Sequence, residues 1–297
     1  MRVFVTGATG FIGTAVVKEL LGNGHKVVGL ARSKDKGAAL AALGADVLHG
    51  SVEDADVLKS GVSRADGVIH TAFNHDFTKY VANCEDDRRV IGVLGAALAG
   101  SQRPLIVTSG TGIVHGKPGH AATEEDAAVA STAIPRAMTE EATNDLVRKG
   151  INAAVVRLPQ VHDTERQGLV SYAIMVAQEK KVSAFVGEGK NRWPAAHVID
   201  TARLYRLALE RAERGAVYHA VAEEGISLKQ IAEVLGRKMQ IPVRSIPPSE
   251  AAAHFGWLAT FAAADAPASS ALTRRRLAWH PTGPGLIADL EGMKFSA

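Results

Sequence analysis

Three glycines near the N-terminus have the type and spacing of an anion-binding turn. Gly7, Gly10 and Gly13 follow a predicted strand, 2–6, and lead into an amphipathic pattern that predicts a helix from Phe11. Glycines in such a turn let the chain reverse tightly, let the backbone approach phosphate oxygens and let the helix pack on the strand. Unpaired N–H groups at the start of the helix would face the anion. The sequence therefore predicts a pyrophosphate site, and a glycine-rich turn without a ligand is the alternative.

A basic residue follows the second predicted strand. The apolar run 25–31 predicts this strand, and Arg32 and Ser33 come directly after it. In a dinucleotide-binding sheet this position meets the adenosine ribose, where an acid selects a free 2′-hydroxyl and an arginine accepts a 2′-phosphate. The planar guanidinium of Arg32 suits a phosphate, and Ser33 can add a hydroxyl donor. NADP(H) is therefore favoured over NAD(H), and an arginine solvated in a loop is the alternative.

The complete turn, Thr6-Gly-Ala-Thr-Gly-Phe-Ile-Gly13, resembles the start of the extended and atypical short-chain dehydrogenase/reductases. That family includes the nucleotide-sugar epimerases and dehydratases. Residues 51–54 resemble the family's segment beside the adenine, with Ser51 in place of its aspartate, and 66–73 end in the small residues that the family places under the cofactor. The cofactor contacts predicted from these patterns are Gly7, Thr9, Gly10, Phe11, Ile12, Gly13, Arg32, Ser33, Ser51, Val52, Thr71, Ala72, Phe73, Ser109 and Pro159.

The resemblance continues after the fifth predicted strand, where Thr111-Gly-Ile-Val-His-Gly116 is similar to the family's Ser-x-x-Val-Tyr-Gly. It implies that Thr111 polarises a substrate carbonyl and that His115 occupies the position of the signature's tyrosine. Hydroxyls at the carboxyl end of a parallel strand face the cofactor crevice. Ser109 is therefore a neighbouring polar candidate, and ordinary strand-end polarity is the alternative for Thr111.

The family's acid–base pair is missing. Counting forward from Thr111 to the position of its Tyr-x-x-x-Lys motif reaches Arg136-Ala-Met-Thr-Glu140, and none of the 4 tyrosines has a lysine four residues later. Arg136 stays protonated far above neutral pH, so it could bind an oxygen electrostatically but is not an ordinary acid. The catalytic candidates besides Thr111 are therefore Arg136, His115 and Tyr80. Glu140 could bond the ribose or pair with Arg136, and a purely structural ion pair on a helix surface is the alternative.

The predicted substrate contacts lie in the second half of the chain. Residues 157–162 resemble the family's turn near the nicotinamide, so Pro159 and Gln160 are expected to line the pocket. Arg192 and Trp193, a cation and an aromatic ring on a predicted loop, are expected to touch the substrate.

Composition excludes several classes of protein. The chain has 297 residues, 46% of them hydrophobic, with a formal charge of +3, and it contains no basic block for a nucleic acid or membrane surface. A single cysteine, Cys84, excludes an internal disulfide and fits a reducing compartment. No signal peptide or membrane span is predicted. We therefore expect a soluble cytoplasmic protein with a small-molecule substrate and no bound metal.

A doubly wound parallel sheet would bring these residues together. Alternating strand and helix patterns predict an α/β, Rossmann-type fold in which 1–165, with 195–222, form the dinucleotide-binding domain. The segments 166–194 and 223–297 are expected to form a smaller substrate-binding lid.

Several side chains are interpreted as structural. Asp35 and Asp54 are expected to cap helices. Others are expected to be packed: His70 in a strand, His162 in a loop, and Phe255, Trp257 and Phe261 in the lid core, with a pocket wall as the alternative for these three rings. By resemblance, the helices near 77–98 and 133–149 form a homodimer interface, and packing within one chain is the alternative.

The leading function expected from these features is NADP(H)-dependent reduction of a small carbonyl or related unsaturated group. Water, or a residue other than the usual tyrosine, would supply the proton. A nucleotide-sugar epimerase or dehydratase is the alternative enzyme, and both the missing Tyr/Lys pair and Arg32 count against it. A non-catalytic dinucleotide-binding sensor or scaffold stays open, because it predicts an intact glycine turn beside an empty acid–base site.

Overall fold

The computed structural model describes residues 1–117 and 119–294, in which strands and helices alternate along most of the chain. The strands are β1 (Arg2–Thr6), β2 (Lys26–Ala31), β3 (Asp46–His49), β4 (Gly67–His70), β5 (Leu105–Gly110), β6 (Ala153–Leu158), β7 (Gln160–His162), β8 (Ser183–Val186), β9 (Arg192–His197), β10 (Val217–His219), β11 (Glu223–Ser227) and β12 (Val243–Ile246). The helices are α1 (Phe11–Gly22), α2 (Lys34–Ala42), α3 (Ala55–Ser63), α4 (Tyr80–Ala97), α5 (Met138–Arg148), α6 (Val170–Lys180), α7 (Val198–Arg211), α8 (Leu228–Met239), α9 (Ala251–Phe255), α10 (Ala259–Ala263), α11 (Ala271–Leu277) and α12 (Leu286–Gly292). None of these helices is long and apolar enough to cross a membrane.

Seven strands form one parallel sheet in the order β10-β6-β5-β4-β1-β2-β3. The chain builds outward from β1 to β3 and then returns to add β4, β5 and β6 on the other side of β1. The strand order therefore reverses between β1 and β4, and a crevice for a ligand opens there, outside the carboxyl ends of the strands. The predicted doubly wound α/β fold is confirmed.

Helices cover both faces of the sheet because its strands are apolar on both faces. Along β1, Val3 and Val5 point into the cluster formed with α1 and α7, whereas Phe4 points into the cluster formed with α3 and α4. The alternation follows from the two-residue period of a strand. The helices α4 and α5 pack against each other on the second face. The homodimer interface expected on these two helices stays a prediction.

A smaller layer contains the three-stranded sheet β11-β9-β7 and the parallel pair β8-β12. With α6, α8, α9 and α12, these strands enclose a third apolar cluster that includes Ile174 and Leu235. Leu277 and Trp279 pack instead in the core of the main sheet, so part of the segment predicted as lid belongs to that sheet. The end of the predicted lid, 295–297, lies outside the described residues.

Two local predictions are wrong. The N-cap of α2 is Ser33, whose Oγ accepts the Lys36 N–H. Asp35 lies in the first turn of α2, where its negative charge interacts favourably with the positive end of the helix dipole. His162 is not in a loop but ends β7, and its fully buried ring lies 2.6 Å from Asp289 Oδ2 on α12. The cap that Asp54 forms on α3 is confirmed.

Candidate active site

The glycine turn closes tightly between β1 and α1. Gly7 has a φ of +67°, and a Cβ there would lie 2.6 Å from the backbone nitrogen of Ala72. A Cβ on Gly13 would lie 2.0 Å from the Gly7 carbonyl oxygen, so both positions require glycine. Within the described chain, no side chain caps the start of α1, whose N-cap is the exposed Gly10. The free N–H groups of the first helical turn can therefore bind an anion.

Arg32 follows β2 with an exposed side chain, and it forms no ion pair with any residue in 1–117 or 119–294. Ser33 beside it holds the start of α2. At the end of the neighbouring strand β3, Ser51 Oγ accepts the Glu53 N–H at 3.3 Å, and Val52 is half-buried. The guanidinium of Arg32 is therefore available to bind a phosphate.

Three half-buried residues follow β4 next to the glycine turn, as the prediction requires: Thr71, Ala72 and Phe73. Thr71 Oγ1 donates to the Thr6 carbonyl oxygen at 2.8 Å, which joins the ends of β1 and β4. The Phe73 ring lies 4.1 Å below the guanidinium carbon of Arg136. Thr71 and Phe73 therefore both have protein partners before any ligand binds.

Two hydroxyls lie at the end of β5. Ser109 is 3% exposed, and its Oγ has no hydrogen-bond partner among the described residues. Thr111 begins the 3₁₀ turn Thr111–Ile113, and its Oγ1 lies 3.3 Å from the Leu158 carbonyl oxygen, which is a long bond. A buried hydroxyl without a partner is costly, so Ser109 and Thr111 both have capacity to bond an oxygen brought by a ligand.

Arg136 is held by several groups of the protein. Its Nη1 donates to Asp87 Oδ2 at 2.7 Å and contacts Thr139 Oγ1, and its Nη2 donates to the Thr108 carbonyl oxygen at 2.8 Å. The two charged side chains are 13% and 2% exposed. The alternatives of a partner in Glu140 and of a pair on the helix surface are therefore both wrong. Arg136 lies in a buried pair with a residue of α4.

Asp87 connects Arg136 to the main sheet. His70 Nε2 lies 3.0 Å from Asp87 Oδ1, and His70 Nδ1 lies 2.6 Å from Thr6 Oγ1. Burial raises the pKa of Asp87, but the Arg136 charge and hydrogen bonds from His70 and Thr139 outweigh it and hold this pKa well below its usual range. His70 is 2% exposed and is the packed strand residue that was predicted.

Glu140 is engaged as well. Its two carboxylate oxygens accept hydrogen bonds from Nε and Nη2 of Arg157, each at 2.8 Å. Both side chains are buried, and Arg157 also donates to the Asp126 carbonyl oxygen and lies 3.2 Å from His219 Nε2. The two positions that align with the family's tyrosine and lysine thus belong to two separate buried ion pairs.

The two predicted proton donors have different surroundings. Tyr80 begins α4, and burial, assisted by Cys84 and opposed by the Arg136 charge, raises its pKa to about 12. The Tyr80 hydroxyl therefore stays protonated at neutral pH and releases its proton reluctantly. His115 is exposed and lines a cleft of about 180 Å³ together with Arg192.

Arg192 and Trp193 open strand β9, so their placement on a loop is wrong. The segment follows a glycine-rich stretch of sequence, but it forms a strand that pairs with β7 and β11. Trp193 is 3% exposed, and its Nε1 donates to the Phe261 carbonyl oxygen at 3.0 Å. Arg192 forms a two-point ion pair with Asp265 at 3.0 and 2.9 Å. Both side chains therefore have protein partners, and their contact with a substrate stays a prediction.

The turn after β6 holds the remaining predicted contacts. Pro159 is half-buried between β6 and β7. Gln160 Oε1 accepts the Leu169 N–H at 2.8 Å and so fixes the start of the segment that leads into α6.

Arg166 is a residue that the sequence did not single out. Its guanidinium carbon lies 5.9 Å from the ring centroid of Phe11, the first residue of α1. Asp163 holds the Arg166 backbone, because its Oδ1 accepts the Arg166 N–H and its own N–H donates to the Arg166 carbonyl, both at 2.8 Å. The side chain is exposed and has no ion pair within the described residues. Since Phe11 and Arg166 meet only in the folded chain, no local pattern could reveal this cation.

The lid aromatics divide into two kinds. Phe255 is 6% exposed and belongs to the third apolar cluster, as predicted. Trp257 is 45% exposed, so its placement in the core is wrong. It lies in the 3₁₀ turn Gly256–Leu258 and stacks on Phe77, which follows β4.

Several known proteins are similar to most of this chain. The model of the NAD dependent epimerase/dehydratase family matches residues 3–222. An uncharacterised protein of Schizosaccharomyces pombe is 47% identical over 293 residues, which are 98% of each chain. The 4-hydroxy-2-methyl-3-oxo-4-farnesyl-3,4-dihydroquinoline-1-oxide ketoreductase of Stigmatella aurantiaca is 27% identical over 294 residues, covering 90% of this chain and 84% of that protein. DesIV, a dTDP-glucose 4,6-dehydratase from Streptomyces venezuelae solved with NAD bound, superposes with a TM-score of 0.79 at 18% identity, covering 99% of this chain and 95% of that chain. The chain belongs to the NAD dependent epimerase/dehydratase family.

Proposed function

We propose that this protein is an NADP(H)-dependent oxidoreductase that reduces the carbonyl group of a small substrate. The observation that carries the proposal is the set of groups left free at one end of the sheet. These are the N–H groups of the glycine turn, the guanidinium of Arg32 and the hydroxyls of Ser109 and Thr111. A ketoreductase among the relatives supports the reaction type.

The glycine turn fits a pyrophosphate by its donors, and Arg32 fits a 2′-phosphate by its charge and shape. Arg32 has no acid beside it to compensate its charge, which favours NADP(H) over NAD(H). When bound, the reduced nicotinamide supplies a hydride to the carbonyl carbon. We expect Arg32→Ala to lower the ratio of NADPH to NADH affinity about tenfold, because one charge-assisted phosphate contact is lost.

Thr111 would donate its hydroxyl to the carbonyl oxygen in exchange for its long bond to the Leu158 carbonyl oxygen. This donor stabilises the negative charge that develops on the oxygen during hydride addition. Arg136 is already held by Asp87 and the Thr108 carbonyl oxygen, and Tyr80 holds its proton tightly. We therefore favour water or His115, which is exposed and lines a cleft, as the proton source.

One experiment tests the enzyme directly. NADPH oxidation is followed over a panel of aliphatic and aromatic ketones, with NADPH affinity measured separately by titration calorimetry. We expect Thr111→Ala to lower kcat about 100-fold while NADPH affinity changes little, since one oxyanion donor is removed. Ser109→Ala is the matched control on the same strand end, with a smaller effect expected. An unchanged kcat in Thr111→Ala contradicts the proposed role of Thr111.

A non-catalytic dinucleotide sensor is the second candidate, and the buried pairs of Arg136 and Glu140 favour it because they leave no Tyr/Lys pair. The same experiment separates the two. Tight NADPH binding with no turnover of any carbonyl in the panel supports the sensor and contradicts the reductase.

A further inference from the structure

Three aromatic rings, Phe77, Tyr172 and Trp257, meet between the main sheet and the lid, and we call them the aromatic bridge. Phe77 and Trp257 stack with their centroids 4.3 Å apart and their planes at 15°. The Tyr172 ring stands edge-on to both, at 5.8 Å from Phe77 and 4.9 Å from Trp257. Phe77 follows β4, Tyr172 lies on α6 and Trp257 lies in the turn Gly256–Leu258, so three separate elements build the aromatic bridge.

More rings continue the aromatic bridge toward the crevice. From Phe77 the row passes to His75 at 6.2 Å and from His75 to Phe73 at 5.4 Å. Phe73 is the predicted cofactor contact that follows β4, next to the strand that leads to Thr111. The aromatic bridge therefore lies on the same side of the sheet as the free hydroxyls, at the carboxyl ends of β4 and β5.

The exposure of Trp257 is the feature that the fold does not account for. Trp193 is 3% exposed and Trp279 is fully buried, but Trp257 is 45% exposed although it is already stacked on Phe77. An indole buries a large apolar area and gains from further stacking. A half-open stack of rings offers a surface on which another flat apolar ring can stack.

The charges around the aromatic bridge also favour an uncharged ligand. Arg136 is paired with Asp87 and bonded to the Thr108 carbonyl, so its charge is balanced within the protein. Desolvation and, secondly, the Arg136 charge lower the pKa of His75, which keeps that ring neutral. His254, on the helix before Trp257, also has a pKa lowered mainly by desolvation. Asp76 and Lys79 are exposed near Phe77 and can be solvated. The surroundings suit an uncharged ring better than the diphosphate of a nucleotide sugar.

We infer that the aromatic bridge is a substrate subsite that stacks a planar aromatic ring, so that the preferred substrates are aryl ketones. The inference rests on the proposed reductase function and names its substrate class. In this arrangement the ring of the substrate covers the open side of the Trp257–Phe77 stack.

Binding is tested without turnover by the fluorescence of the intact protein. Acetophenone is titrated in the presence of NADP⁺ with excitation at the tryptophan absorption edge, and cyclohexyl methyl ketone is the matched non-aromatic probe. Because Trp193 and Trp279 are buried, Trp257 dominates the quenchable signal. We expect saturable quenching by acetophenone that disappears in Trp257→Phe. Quenching that rises linearly, as with free N-acetyltryptophanamide, overturns the inference.

Measurements of turnover provide a second test of the subsite. We expect Trp257→Leu to lower the ratio of kcat/KM for acetophenone to that for cyclohexyl methyl ketone about tenfold, while Trp257→Phe keeps it within about threefold. Met175→Ala is the matched control, because Met175 is 60% exposed on the same helix as Tyr172 but outside the aromatic bridge. An unchanged ratio in Trp257→Leu overturns the inference.

The two proposals can fail separately. Saturable quenching without turnover of either ketone supports the subsite and contradicts the reductase. Turnover of both ketones without saturable quenching, or with a ratio insensitive to residue 257, supports the reductase and removes the subsite. Thermal melts of the variants check folding, and the exposure of Trp257 predicts only small changes in them.

Discussion

The glycine turn at 7–13 and the segment 136–140 are the two regions predicted from the sequence to hold the cofactor and the acid–base residues, and they differ in what they leave free. In the glycine turn, backbone N–H groups at the start of α1 have no partner, and the local shape excludes larger residues at Gly7 and Gly13. In the segment 136–140, Arg136 and Glu140 are both held in buried ion pairs. The first region leaves donors available to a ligand, whereas the charges of the second region are paired within the protein.

The difference shows where function can change in this fold. A phosphate site made of backbone depends on chain geometry, so it persists as long as the strand, turn and helix persist. An acid–base pair depends on two side chains and is lost when those side chains change. Buried charges that remain must then be paired, because an unpaired buried charge is strongly destabilising. Asp87 and Arg157 supply the partners here.

The largest expected effect tests the buried ion pair between Asp87 and Arg136. Asp87→Asn keeps the shape of the side chain but leaves Arg136 without its counter-charge, so we expect a loss of about 3–5 kcal/mol in the free energy of unfolding. Urea denaturation measures it. The matched control is Asp86→Asn on the same helix, because Asp86 pairs with Arg89 on the surface and should cost under about 1 kcal/mol. Equal losses in the two variants would show that the Asp87 pair is no more than a surface contact.

Acid titration checks the sign of the same effect. The pKa of Asp87 is lower in the folded than in the unfolded protein, so its contribution is fully present above the unfolded value of about 4. The contribution declines as pH falls from there toward the folded value. The stability curves of the wild type and Asp87→Asn should therefore be furthest apart above about pH 4 and approach each other in stronger acid. A gap that widens with acid contradicts the assignment.

A smaller effect tests the ligand side. In Gly13→Ala the new Cβ collides with the Gly7 carbonyl oxygen, so we expect a loss of about 1–3 kcal/mol in stability and at least tenfold weaker NADPH binding. Calorimetric titration and denaturation measure the two quantities. Gly22→Ala is the matched control at the other end of α1, where a Cβ would meet nothing within 4 Å. NADPH affinity that survives in Gly13→Ala would remove the glycine turn from the proposed site.

The fold and the glycine turn were predictable because their signals are local. The strand period, the helix pattern and the Gly-x-x-Gly-x-x-Gly spacing each lie within a short stretch of chain, and the sheet order follows from alternating strands and helices. The absence of the Tyr/Lys pair could also be read directly at Arg136 and Glu140. The buried ion pairs that Arg136 and Glu140 form instead could not be predicted from that segment.

The errors arose where partners come from distant parts of the chain. Spacing on one helix indicated Glu140 as the partner of Arg136, but the carboxylate that reaches it belongs to Asp87 on another helix. Trp193 was expected on a loop and Trp257 in the lid core, but tertiary pairing makes Trp193 a buried strand residue and Trp257 an open ring. Composition does not determine which aromatic residue faces a crevice.

The smallest expected effect concerns Arg166, a cation from the second half of the chain that reaches the start of α1. Its exposed guanidinium, held by the Asp163 turn, lies 5.9 Å from the ring centroid of Phe11, close to the helix start that we propose binds the pyrophosphate. We expect Arg166→Ala to weaken NADPH and NADH binding about equally, by about tenfold, and to reduce the salt dependence of both. Arg166→Lys should keep most of the affinity because it keeps the charge. Arg32→Ala is the internal contrast, since it should change the ratio of the two affinities and leave NADH binding nearly unaltered. If Arg166→Ala weakened NADPH alone, this guanidinium would belong to the 2′-phosphate, and the division of roles between Arg32 and Arg166 would have to be reversed.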